Sequence, residues 1–129
     1  MKLLIDEAGS ASIRELWESA QERVSCRLLY PEARSALARA VRARRLDDDA
    51  FSRARAELED LSEELWWREI TEPIVRRAGD LAETHRLRGA DAVHLAAVEE
   101  LLDSEAVFVT ADAEQRTAAQ SLGLATARL

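Results

Sequence analysis

The segment Ala92-Val-His-Leu-Ala-Ala-Val98 constrains this fold more than any other stretch of the chain. It reads as a helix that is apolar nearly all round, and a helix with so little polar face belongs at the centre of a core. Around it the chain offers helices and short strands in alternation. Ala106-Val-Phe-Val-Thr110 is the clearest strand, and a helix begins just after it at Asp112-Ala-Glu-Gln115 and ends near Gly123. Upstream, the capping box Ser12-Ile-Arg-Glu15 predicts a helix over 12–23, followed by a strand over 24–28. Pro31 suits the first position of a helix reaching Arg44. Asp47 or Asp48 caps the next helix, whose Phe51, Ala54, Leu58, Leu61 and Leu65 recur at the spacing of one buried face. A short strand over 67–71 precedes a helix that starts at Thr71 and Pro73 and runs to His85. Gly89 is read as a break before the apolar helix over 91–102, and 124–127 as a last strand. Strands separated by helices imply an α/β fold with a mainly parallel sheet flanked by helices.

The length of 129 residues fits one domain, 1–129, able to bury a single core. With 47% hydrophobic and 33% charged residues the chain is neither disordered nor a membrane protein. Its N-terminus meets charge too early for a signal peptide. The lone Cys26 cannot form an internal disulfide, which fits a reducing, cytoplasmic setting and a small buried hydrophobe. The net charge of −7 argues against nucleic-acid binding through bulk positive charge. It leaves room for an enzyme acting on nucleic acid, because a metal ion offsets local carboxylate charge and a basic stripe is a local matter. Arg34, Arg39, Arg42, Arg44 and Arg45 crowd one segment, as such a stripe or as a solvated helix face. Of the adjacent Trp66 and Trp67, one is read as core and the other as a partner contact or a partly covered surface residue.

Glu32, Asp91 and Asp112 each lie at or near a helix start, and Asp112 follows a strand by two residues. In an open parallel sheet, strand ends and the helix starts after them gather along one edge, where sites form. Carboxylates brought together there repel one another and raise each other's pKa unless a cation joins them. Magnesium or manganese is the natural cation, being hard and oxygen-seeking. Such a metal polarises a phosphoryl oxygen and activates water, which points to phosphodiester hydrolysis. Structural readings stand beside this one. Asp112 is an ordinary N-cap, and Glu32 in a first turn favours the helix dipole. Asp91 resists a structural reading, since an otherwise apolar helix has no use for an idle inward carboxylate. His94 hydrogen-bonds within the core or touches the site. His85 and His94 lack metal-ligand spacing, and no Cys/His cluster suggests zinc. Gly-rich phosphate loops and serine-nucleophile motifs are absent from the sequence.

Three segments, Tyr30-Pro-Glu-Ala-Arg-Ser-Ala-Leu37, Gly89-Ala-Asp-Ala-Val-His-Leu-Ala96 and Val107-Phe-Val-Thr-Ala-Asp112, resemble the PIN-domain toxin ribonucleases of VapC type in order and approximate spacing. The resemblance covers nearly the whole chain and implies a PIN-like three-layer domain. It puts Glu32, Asp91 and Asp112 on acidic metal-site positions and Thr110 on the polar position beside the last of them. It further implies magnesium-dependent endonucleolytic cleavage of RNA, restraint by a VapB-like antitoxin, and a homodimer. An alternative of a different class is a catalytically dead interaction module that keeps antitoxin binding and dimerisation.

The N-terminus departs from the family pattern, which opens with a strand ending in a metal-binding Asp. Met1-Lys-Leu-Leu-Ile-Asp6 looks superficially like that strand, whereas Glu7-Ala-Gly-Ser10 looks like a segment the family carries after its first helix. The favoured register is the second, in which the domain is shortened at its N-terminus, the opening strand and its Asp are absent, and Asp6 is a turn residue. A missing central strand would orphan ladder partners on both sides. Either Met1–Ile5 fills that gap, or the true start lies upstream, or the copy is decayed.

Overall fold

A computed structural model describes residues 2–5, 13–101 and 105–128. Its elements run β1 (Lys2–Ile5), α1 (Ile13–Ser19), β2 (Glu22–Cys26), α2 (Leu29–Arg42), α3 (Asp48–Glu63), β3 (Trp66–Arg68), α4 (Glu72–His85), α5 (Gly89–Glu99), β4 (Ala106–Thr110), α6 (Ala113–Ser121) and β5 (Ala125–Arg128). The five strands pair in the order β3-β2-β1-β4-β5, and every neighbouring pair is parallel. Parallel strands need a crossover for each connection, and the helices supply them.

Alternation along β4 shows how the sheet is covered. Ala106 and Phe108 join the larger core, with Ile74, Ala78 and Leu81 of α4, Leu95 and Val98 of α5, and Ala118 and Ala119 of α6. Val107 and Val109 join the other, with Leu16 and Trp17 of α1, Leu61 of α3 and Leu65 just after it. Helices therefore lie on both faces, giving three layers. The apolar segment of α5 is buried as its composition demands: Ala92 and every residue from His94 to Val98 are buried. No helix among the described residues is long and apolar enough to cross a membrane.

The central place that the favoured register left vacant is filled. Lys2–Ile5 pairs with β2 on one side, Lys2 opposite Glu22, and with β4 on the other, Lys2 opposite Ala106. Of the three ways of meeting the gap, the fold takes the first, because β2 and β4 would otherwise each face it with unpaired backbone groups. Asp6, the segment Glu7-Ala-Gly-Ser10, the cap Ser12 and Leu102 fall outside the described residues.

Other boundaries move for identifiable reasons. Helix α1 stops at Ser19, short of the expected 23, because Glu22 and Arg23 enter the ladder with β1. The Arg23 side chain instead caps it, donating from Nε to the Trp17 carbonyl at 2.6 Å. Helix α2 begins at Leu29, so Pro31 sits within the first turn, where its missing N–H costs nothing. Asp47 is the cap of α3, accepting from the Ala50 N–H at 2.7 Å. The break before α5 falls not at Gly89, which is helical, but at left-handed Arg86 and extended Arg88. The strand expected over 67–71 is Trp66–Arg68, which sends the two tryptophans to opposite sides. Trp66 is 68% exposed, while Trp67 is partly covered and donates from Nε1 to the Ser62 carbonyl at 3.1 Å. The apolar line of α3 is less covered than its spacing suggested, since Phe51, Ala54, Leu58 and Leu61 are all only half-buried.

Candidate functional site

All four residues singled out in the sequence lie at or just beyond the C-terminal ends of strands, or at helix starts. Glu32 is in the first turn of α2, which follows β2. Asp91 is in the first turn of α5, and its side chain is 22% exposed. Thr110 ends β4, and Asp112 is the N-cap of α6 immediately after it. In a doubly wound parallel sheet the crevice opens at this edge, where connections leave in opposite directions. Here that reversal falls between β1 and β4.

Asp112 does what the structural reading expected of it. Its Oδ1 accepts the Gln115 N–H at 2.8 Å, tying up one orphan donor of α6. Thr110 is fully buried, and its hydroxyl is engaged twice: it donates to Gln115 Oε1 at 2.5 Å and accepts the Asp112 N–H at 3.0 Å. Gln115, which the sequence reading missed, completes the connection by donating from Nε2 to the Asp91 carbonyl at 3.0 Å. One buried glutamine thus joins the end of β4, the cap of α6 and the start of α5. Its signal was present as the fourth residue of Asp112-Ala-Glu-Gln115, a capping-box position. Nothing local shows that its side chain turns to α5.

The second missed group is Cys26 at the end of β2. Its Sγ lies 3.3 Å from Nδ1 of His94, and both residues are buried. The other ring nitrogen of His94, Nε2, pairs with the Glu32 carboxylate, whose side chain is 42% exposed. His94 is therefore both hydrogen-bonded within the core and in contact with Glu32.

The electrostatics converge on Asp91. Its carboxyl is pushed above the ordinary value of 3.8, first by burial and next by the neighbouring Asp112, with Glu32 adding in the same direction. Arg88, its guanidinium 4.0 Å away, and His94 pull against that rise. Asp91 on α5 thus feels an acid from each of two other elements, Glu32 of α2 and Asp112 at the cap of α6. Among the described residues no three of His, Cys, Asp and Glu stand close enough to form a ligand cluster. The donor chemistry nevertheless fits a hard divalent cation, since a carboxyl whose pKa is raised by burial and neighbouring acids, as that of Asp91 is, is relieved by bound positive charge.

A family profile described as PIN domain matches residues 1–120. The chain belongs to the PIN-domain family. Among curated PIN-domain relatives, ribonuclease VapC45 of Mycobacterium tuberculosis (strain CDC 1551 / Oshkosh) is 38% identical over 123 residues, covering 95% of this chain and 85% of the relative. Ribonuclease VapC49 of Mycobacterium tuberculosis (strain ATCC 25618 / H37Rv) matches with the same identity and coverage. The PIN-domain assignment is thus of VapC type, in agreement with the three-layer parallel architecture.

Proposed function

We propose that this protein is the toxin of a type II toxin–antitoxin pair, an endoribonuclease that uses magnesium, with manganese as a substitute. The observation that carries the reading is Asp91, an inward carboxylate on an apolar helix, made reluctant to ionise by burial, Asp112 and Glu32. A bound divalent ion would polarise the scissile phosphate and activate water there. Asp91, Glu32 and Asp112 would hold it, and Thr110 would keep Asp112 in place through the Asp112 N–H. Magnesium retains several waters and needs only one or two carboxylates directly, so some of these acids can act through water. Exposed Arg39, Arg42, Arg44 and Arg45 lie on and just after α2, whose first turn carries Glu32, and they offer phosphate contacts leading away from the acids.

The names of the relatives support ribonuclease chemistry and, with it, a VapB-like antitoxin as partner. We further read the chain as one cytoplasmic domain acting as a homodimer, with the half-covered apolar line of α3 and exposed Trp66 as contact surface.

Incubating the purified protein with RNA, with magnesium or with a chelator, tests the activity directly. Cleavage should require the metal and vanish in Asp91→Asn. Unchanged metal-dependent cleavage by that variant would sink the proposed site. A native chain that binds antitoxin but leaves RNA intact would be the dead interaction module instead.

A further inference from the structure

A fully buried histidine on an otherwise apolar helix is costly unless its ring nitrogens are satisfied. His94 is 3% exposed, and both nitrogens are engaged, Nδ1 with Cys26 and Nε2 with Glu32. Burial this deep keeps the ring from touching RNA, so its chemistry must be exerted through a neighbour. That neighbour is Glu32, a flexible side chain that is partly exposed. Left alone it would sample many rotamers, and ordering it for a bound cation would cost conformational entropy. His94 lies three residues after Asp91, and residues at this spacing share a helix face. The ring therefore stands beside Asp91 and reaches across to α2. We propose that His94 is a positioning residue, clamped by Cys26 on one nitrogen and using the other to aim the Glu32 carboxylate at Asp91. This rests on the acidic-site reading above. It adds a support of three residues, buried Cys26 and His94 and partly exposed Glu32, that orders one acid before any cation arrives.

Two polar replacements separate the two nitrogens. Glutamine places its amide near the position of Nε2 and can still donate to Glu32. Asparagine places its amide near Nδ1, facing Cys26, and withdraws the donor from Glu32. Manganese is the probe, titrated by electron paramagnetic resonance without RNA, alongside kcat and KM for a model RNA. His94→Asn should weaken manganese binding roughly 10–100-fold, the range for residues that support metal ligands. It should lower kcat more than it raises KM, and His94→Gln should recover most of both. Combined with Glu32→Gln, His94→Asn should add little further loss, since both changes remove one unit. Equal manganese affinity in the Gln and Asn variants, or losses that multiply with Glu32→Gln, would overturn the positioning role. Asp91→Asn run in parallel keeps the two ideas distinct. If it weakens manganese while the His94 variants do not, only this inference fails. If it leaves manganese binding untouched, the acidic-site reading falls and takes this inference with it.

Discussion

Asp112 carries two roles that a matched pair of substitutions can pull apart. As the cap of α6 it accepts the Gln115 N–H at 2.8 Å, and as a carboxylate it is the largest charge acting on Asp91. Asparagine caps a helix about as well as aspartate, whereas alanine does not cap at all. Asp112→Ala should therefore cost about 1 kcal/mol, within a range of roughly 0.5–2. For a domain of this size that lowers the melting temperature by roughly 4 °C. Asp112→Asn forfeits the attraction between charge and helix dipole, about 0.3–1 kcal/mol, but also ends the repulsion with Asp91. Its melting temperature should consequently stay close to that of the native protein. Activity should ignore this difference. Both variants remove a carboxylate, so both should lose more than about a hundredfold in magnesium-dependent cleavage, the upper end of what supporting residues alone cost. Melting curves and initial rates on a fluorogenic RNA, measured on the same preparations, decide the matter. If Asp112→Asn cleaves like the native protein and Asp112→Ala weakens only as its melting falls, Asp112 is a cap and nothing more.

Asp91→Asn should inactivate the protein and yet make the metal-free form melt higher at neutral pH. A raised carboxyl pKa means that the folded state binds this proton more tightly than the unfolded chain does, so ionised Asp91 is a cost that is full above its folded pKa. The variant's advantage should shrink as pH falls and disappear below about 3.8, where both states are protonated; an advantage that persists there would contradict the assignment. Asp6→Asn distinguishes the two N-terminal registers: damage equal to that of Asp91→Asn at normal stability marks Asp6 as the family's first acid, and an inert substitution marks it as a turn residue. Trp66→Ala should shift stability by no more than about 0.5 kcal/mol, as for an ordinary surface change, while weakening dimer or antitoxin binding. Unaltered sedimentation and antitoxin affinity would count against that surface.

Legibility in the sequence followed the range of the interaction involved. The α3 cap at Asp47, the α6 cap at Asp112 and strand β4 are decided within a few residues, and each appears where its local pattern put it. Helix α5 was readable as buried because its own composition leaves no face for water. What failed was decided elsewhere in the chain. The start of β2 depends on its register with β1, and Trp66–Arg68 is a strand because β2 offers it an open edge. The place of Lys2–Ile5 at the sheet centre depends on β2 and β4 both needing a partner. In the candidate site, helix-start acids advertised themselves. Cys26 and Gln115 did not, since a buried thiol and a capping-box glutamine look the same whatever they touch across the core.

The central position of β1 also dictates when the molecule can be assembled. Its ladder with β2 closes over a short stretch of chain, but Lys2 must wait for Ala106 on its other side. At about 5–20 residues per second on the ribosome, β4 trails β1 by roughly 5–20 seconds. Throughout that interval one edge of the future sheet centre has no mate, and such long-range pairing is intrinsically slow to form. The same closure brings in α6 with Asp112, and Gln115 then ties it to the start of α5. Glu32 is made early, and its acidic neighbours come late. The three acids can come together only once Asp112 has been made, 80 residues after Glu32.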